Sequence, residues 1–426
     1  MSLSVGAFLF IIFAVLLLLS VPISVSLGIS SILALMYAGS SITIKAQNLY
    51  NGMSKFLLLA IPFFILAGNI MEFSGISGRL IKLADSMMGH IRGGIAITCV
   101  MVSCFFAAIS GSAPATVAAL GLVVIPAMVQ AGYGKETSSA LMATSGSLGI
   151  VIPPSIAFVV YASLASVSVG KIFIAGILPG LLTGLFLALM IFWVARKRNI
   201  VAGTRASTRE RLAALADAFW GLMMPLIILG GIYGGFFTPT EAAAVSVVYG
   251  FFVGAFVYKK IRIKDVSAIL ITSMKQSAST MFIIGTATLF GYVCTTQGVV
   301  AACQDWLNTV ADSPVLFILV VNIILLIAGC FLEATSAMYI LIPILLPVAT
   351  SLGIDPVHFG VIVVCNLAAG CSTPPVGINL FVACKIGNVS MEQISKAVGP
   401  FIIAQIVALL FISYIPGISL WLPSIL

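Results

Sequence analysis

The stretch GCSTPPVGINL, residues 370–380, decides how this chain is read. It lies inside a long apolar run, yet Pro374, Pro375 and the neighbouring Cys, Ser, Thr and Asn residues cannot continue a helix. Irregular backbone at membrane depth is tolerated only where protein surrounds it or where it lines a polar cavity. A break at this position therefore implies that backbone groups and small polar side chains face a ligand.

The surrounding composition makes membrane depth the right frame. Of 426 residues, 61% are hydrophobic and 8% are charged, against about 25% charged in a soluble domain. Apolar runs are continuous, not alternating, which predicts an all-α polytopic membrane protein and excludes a barrel. Residues 3–20 lack a basic leader and a cleavage site, and read as a retained first helix. The eight cysteines include no CxxC pair and there are two histidines, His90 and His358, so metal or haem chemistry is not expected. Cys294 and Cys303 lie near a loop and would be able to pair on an oxidising side. The net charge of +8 reports membrane orientation, not nucleic acid.

A shift of 221 positions aligns two halves of the chain without a gap over about 70 residues. VIPAMVQAGYG (124–134) falls on LLPVATSLGID (345–355), and Pro126, Pro153, Pro154 and Pro179 fall on Pro347, Pro374, Pro375 and Pro400. Helices are expected near 3–20, 22–39, 57–73, 136–165 and 172–195. The plan returns near 218–237, 240–258, 278–296, 356–384 and 393–416. Two re-entrant hairpins are expected at 93–131 and 314–350, and two surface helices at 43–56 and 261–277; the linker at 204–217 is a candidate third. Five full passes per half make the second copy inverted. With the linker at 196–217 in the cytoplasm, seventeen of twenty Lys and Arg fall on that side, and only Lys45, Lys55 and Lys171 fall outside. Both termini come out periplasmic, and linker residue Thr204 cytoplasmic.

Four breaks follow from the repeat: hairpin tips at 109–117 and 330–338, and interrupted helices at 144–155 and 370–379. Helix halves that end at a break expose carbonyls at one end, suited to Na⁺, and N–H groups at the other, suited to a carboxylate. Inverted repeats with discontinuous helices are a layout of secondary transporters. Glu333 at the second tip is a natural cation partner, since a midplane carboxylate costs about 2.5–3.5 kcal/mol on insertion scales. Asn366 and Asn379 flank the second break as site or packing residues; Ser103 and Ser163 read as packing serines. Glu241 with Thr238 or Thr240 reads as a helix cap. Asn69 and Glu72 read as structural residues at an inner helix end. Arg79, Lys82 and Arg92 are expected at lipid headgroups, and Trp220, Trp306 and Trp421 at the interface.

In combination, SGSAPATVAALG (110–121), IPPS (152–155), LPG (178–180), GGFFTPTEAAAV (234–245) and GCSTPPVGINLF (370–381) resemble the large membrane subunit of tripartite ATP-independent periplasmic (TRAP) transporters, the DctM- and SiaM-like permeases, over the whole chain. The resemblance implies an elevator-type carrier of the ion-transporter superfamily and no enzyme activity. Scaffold segments would be 1–73 and 218–296, and transport-domain halves 74–195 and 297–426. It implies Na⁺-coupled import of an organic acid across the bacterial inner membrane, with no cofactor besides the coupling ion. It also implies a small four-helix membrane subunit, expected as a separate chain, and a periplasmic substrate-binding protein. Family ion sites fall on Ser110, Gly111, Ser112, Gly146, Gly149, Glu333, Thr335, Ser336, Gly370, Ser372 and Thr373. Family substrate positions fall on Ser112, Thr116, Pro153, Ser155, Thr335, Pro374 and Asn379. Relatives are expected to carry Asp often where Glu333 stands. Sialic acid and C4-dicarboxylates are the substrate types considered, the overall resemblance leaning to the first. No basic residue lies in any of the four breaks. A stand-alone Na⁺-coupled carboxylate carrier of the divalent-anion type is the rival reading; a channel and an intramembrane enzyme fit less well.

Overall fold

The computed structural model describes residues 4–200, 202–203, 205–310 and 313–426, without the side chains of residues 42, 44, 45, 308 and 310. Thr204 lies outside the described residues. The first half consists of α1 (Val5–Leu18), α2 (Ile23–Tyr37), α3 (Ile42–Met53), a 3₁₀ turn leading into α4 (Ala60–Phe73), α5 (Ile76–Met88), α6 (Gly94–Ser110), α7 (Ala113–Gln130), α8 (Lys135–Gly146), α9 (Leu148–Val151), α10 (Ile156–Ala165) and α11 (Val169–Lys197). The second consists of α12 (Thr208–Tyr233), α13 (Pro239–Phe252), α14 (Ile263–Thr296), α15 (Val299–Val310), α16 (Pro314–Phe331), α17 (Ala334–Ser351), α18 (Pro356–Gly370), α19 (Ile378–Gly387), α20 (Met391–Tyr414) and a terminal α21 (Gly417–Ile425). Among the described residues nine helices are long and apolar enough to cross a membrane, or up to ten if one bent pair counts as a span. That pair is α8–α9 with α10, bent by 44°.

The expected hairpins fall on α6–α7 and α16–α17, of whose arms α7, α16 and α17 are each long and apolar enough to cross a membrane, and the expected interrupted helices fall on α8–α10 and α18–α19. Local chemistry explains each turn. At the first tip Gly111 takes φ +61°, a left-handed cap that closes α6, and Ser112 is extended before Pro114 enters the first turn of α7. At the second tip the reversal uses extended Leu332 and Glu333. The breaks at 152–155 and 371–377 contain the two Pro–Pro pairs.

Several expectations change. The stretches 261–277 and 278–296 are one continuous helix, α14, whose 34 residues span about 51 Å. Its equivalent in the first half is interrupted at Ser54–Lys55, so only that arm is separate. The linker forms no separate helix: α12 starts at Thr208 under a Ser207–Glu210 capping box and runs on to Tyr233. Helices α5 and α15, absent from the expected set, occupy corresponding places after α4 and α14, and α21 was not expected. Arg79, expected at lipid headgroups, is engaged within the protein: its Nε pairs with Asp217 at 2.9 Å and its guanidinium lies 3.8 Å from the Tyr258 ring centroid. Cys294 and Cys303 are free thiols. The Thr238–Glu241 capping box of α13 is formed as expected.

Packing crosses between the halves. α19 of the second half lies against α7 and α8 of the first, α10 lies against α17, and α20 lies against α8 and α11. α4 packs on α13 and α14, and α2 and α3 pack on α14. The interior holds Phe106, Phe158, Phe173, Phe290, Phe317, Phe359 and Phe401, all essentially inaccessible. A site assembled at the crossing is therefore made by both halves at once.

Candidate functional site

Each hairpin tip is tied to its neighbouring break by one main-chain hydrogen bond. The Ile156 N–H donates to the Gly111 carbonyl (3.4 Å), and the Gly377 N–H donates to the Cys330 carbonyl (2.9 Å). These bonds bring the N-terminus of α10 to the first tip and that of α19 to the second. The starts of α7, α10, α17 and α19 line one cavity of about 630 Å³, through Ala113 and Pro114, Ile156 and Ala157, Ala334 and Thr335, and Ile378. A helix N-terminus carries partial positive charge and unpaired N–H donors, so four of them around one space make a field for an anion without any basic residue.

The first tip is a knot of oxygens. The Ser110 and Thr116 hydroxyls are 2.7 Å apart, and the Ser112 carbonyl accepts from Thr116 (2.8 Å) and Ser110 (3.2 Å). Gly149 of the neighbouring break leaves this group room: a Cβ there would sit 2.6 Å from both the Ser112 carbonyl oxygen and Thr116 Oγ1. Gly146 closes on Val117 in the same way. Ser155 is buried, its hydroxyl donating to the Ile150 carbonyl (2.6 Å), and Pro153 is buried in the break.

At the second tip, half-buried Glu333 and buried Thr335 face the cavity. The Ser336 hydroxyl beside them is fully buried with no hydrogen-bond partner, an arrangement that costs free energy unless a ligand completes it. Gly370 allows α18 to touch α16 backbone to backbone at Gly329. Thr373 donates to the Ala369 carbonyl (2.8 Å), and Pro374 is partly buried. Ser372 and Asn379 both donate to the Ala143 carbonyl of α8, at 3.1 and 3.0 Å, which ties the second break to the first interrupted helix. Gln405 adds donations to the Thr144 carbonyl and Ser147 Oγ.

Of the sequence-derived candidates, Ser110, Gly111, Ser112, Glu333 and Thr335 line the cavity directly. Thr116, Gly146, Gly149, Pro153, Ser155, Ser336, Gly370, Ser372, Thr373, Pro374 and Asn379 stand behind it in the tips and breaks. Asn366 is further off, in a buried chain in which it donates to Asn322 Oδ1 (2.7 Å), and Asn322 donates to Ser413 Oγ (3.2 Å). Ser103 and Ser163 hydroxyls have no partner and do not reach the cavity.

The opposite wall escaped the sequence reading. Asn69 and Glu72 from α4, and Lys275, Gln276, Ser279 and Thr280 from α14, complete the lining. Asn69 Nδ2 donates to Ser273 Oγ (2.8 Å) and Gln276 Oε1 (2.9 Å), holding α4 against α14. The available signal was a polar stripe, Lys275, Gln276, Ser279 and Thr280, that runs from the amphipathic stretch at 261–277 into the apolar span after it.

A multi-spanning helical fold whose hairpin tips and broken helices line one cavity with helix N-termini has the layout of membrane transporters. The comparisons narrow the class. The sequence profile described as "Tripartite ATP-independent periplasmic transporter, DctM component" matches residues 10–418, and this chain belongs to that family. It is 46% identical over 400 residues to the C4-dicarboxylate TRAP transporter large permease protein DctM of Pseudomonas aeruginosa, covering 94% of each chain. It is 35% identical over 411 residues to the sialic acid TRAP transporter large permease protein SiaM of Vibrio cholerae, covering 96% of each. Among solved structures, the YdaH transporter of Alcanivorax borkumensis superposes with a TM-score of 0.63 over 87% of each chain at 15% identity, a likeness of fold alone.

Proposed function

We propose that this chain is the membrane permease of a Na⁺-coupled importer for a C4-dicarboxylate, working by an elevator motion with a small membrane subunit and a periplasmic binding protein. The convergence of four helix N-termini on one cavity carries the reading, because it supplies anion binding where the breaks hold no basic side chain. The higher identity to the C4-dicarboxylate permease than to the sialic acid permease favours the dicarboxylate.

Na⁺ fits both tips by donor chemistry. The first offers the Ser112 carbonyl with the Ser110 and Thr116 hydroxyls, in a space kept open by Gly149. The second offers the Glu333 carboxylate and the unpartnered Ser336 hydroxyl. These are hard oxygen donors able to replace a hydration shell. Bound Na⁺ would offset the cavity carboxylates and add to the field of the helix ends, so binding of ion and acid is mutually favourable.

In this reading the two halves are inverted copies. The tips and interrupted helices move as one body, while the helices of 1–73 and 218–296 stay fixed. Both termini lie in the periplasm of an inner-membrane protein. The α4 end at Glu72 and the Lys275 level of α14 then lie toward the cytoplasm, and the cavity between them is the inward-facing site.

Uptake into proteoliposomes tests the proposal. The permease with its small subunit, a loaded binding protein and an inward Na⁺ gradient should accumulate labelled succinate, and collapse of the gradient should stop it. Equal uptake by this chain alone would instead support a stand-alone carrier. Uptake indifferent to Na⁺ would reject ion coupling.

A further inference from the structure

The cavity has a wall that belongs to neither tip nor break, and among the described residues of its lining Lys275 is the single cationic side chain. It shares the space with two carboxylates, Glu72 and Glu333, yet no ion pair among the described residues holds its ammonium. A lysine that serves only to mark the cytoplasmic side is free to point at headgroups or bulk water. This one is among the lining residues of the cavity that the four helix starts also line. Its side chain is exposed, and the Asn69 hydrogen bonds to Ser273 and Gln276, which flank it in sequence, hold α14 against α4 beside it.

We propose that Lys275 binds the second carboxylate of the substrate from this wall and so selects a dianion over a monoanion; this rests on the dicarboxylate reading above. The charges require such a partner. Two carboxylates and one ammonium line the cavity, a balance that repels a dianion until cations compensate it. Na⁺ at the tips offsets the carboxylates, and the helix N-termini hold one end of the acid. The far end then needs a donor on the opposite side, where Lys275 stands with Gln276, Ser279 and Thr280 beside it. A monocarboxylate has no group to place there. Because this wall is separate from the tips and breaks, the contact belongs to the inward-facing arrangement and acts on affinity measured in that state.

The test uses the purified permease with its small subunit in Na⁺ buffer, with labelled succinate and labelled butyrate as probes. Lys275→Met removes the charge and keeps most of the unbranched chain; Lys275→Arg keeps the charge. The expected result is a loss of succinate affinity of about tenfold or more in Lys275→Met, a change of about twofold or less for butyrate, and near-native succinate binding in Lys275→Arg. Succinate binding unchanged in Lys275→Met, or an equal loss for both acids, overturns the assignment while leaving the dicarboxylate reading intact. Failure of the wild-type complex to bind succinate at all overturns both.

Discussion

The Gly329–Gly370 crossing places the second tip against its break, and its geometry sets a graded prediction. A Cβ at position 370 would lie 2.6 Å from Gly329 Cα and 2.7 Å from its carbonyl carbon; a Cβ at 329 would lie 3.0 Å from Gly370 Cα. Carbon atoms rest at about 3.5–4.0 Å, so Gly370→Ala forces α16 and α18 apart by about 1 Å and Gly329→Ala by about half that. The obstruction is backbone, which cannot rotate away. Overpacking of this kind costs about 1–3 kcal/mol. It also strains the Gly377–Cys330 main-chain bond that holds tip to break. Gly399 in α20 is the control, since a Cβ there meets nothing within 4 Å; alanine in an open helical position stabilises by about 0.5–1 kcal/mol. Thermal unfolding of the purified complex should rank Gly399→Ala at or above wild type, then Gly329→Ala, then Gly370→Ala. Na⁺-driven succinate uptake should fall in the same order, Gly370→Ala losing about tenfold or more. A Gly370→Ala protein that melts and transports like Gly399→Ala would refute the close crossing.

Three further outcomes are expected. Glu333→Gln should weaken the Na⁺ dependence of succinate uptake while leaving folding and complex assembly intact; an unaltered Na⁺ response would remove the carboxylate from the ion site. The double substitution Ser372→Ala with Asn379→Ala leaves the buried Ala143 carbonyl without two side-chain donors. It should cost about 1–3 kcal/mol of stability, with each single change costing less because the other donor remains, as read by thermal unfolding. A Thr204→Cys protein without its native cysteines should react with membrane-impermeant maleimide only from the cytoplasmic side; labelling from the periplasm would invert the proposed topology.

The breaks were legible in the sequence because the residues that make them are unsuited to anything else. Gly111, Ser112 and Pro114 spell a left-handed cap, an extended residue and a helix start, and the hairpin follows. Pro153–Pro154 and Pro374–Pro375 interrupt apolar runs in equivalent places, which made both discontinuous helices visible. The surface-helix expectation at 261–277 failed for a physical reason. Its amphipathic pattern is real, but no proline or glycine separates it from the span that follows until Gly285, so the helix continues. The α4–α14 wall was hidden by a different rule. Reading each Lys and Arg as a topological marker explains Lys275 equally well wherever it points, and only packing shows that it faces a cavity. Asn69 and Glu72 looked like helix-end residues because their partner, α14, lies about 200 positions away in the chain.

The most direct test of the central claim is a cryo-electron microscopy map of the permease complex in Na⁺ with saturating succinate. The account predicts elongated density in the cavity between the starts of α7, α10, α17 and α19, with one end toward Ser112 and Thr335 and the other toward Lys275. Compact density is expected beside the Ser112 carbonyl and beside Glu333. Succinate density elsewhere in the protein, with that cavity filled by lipid or side chains, would contradict it.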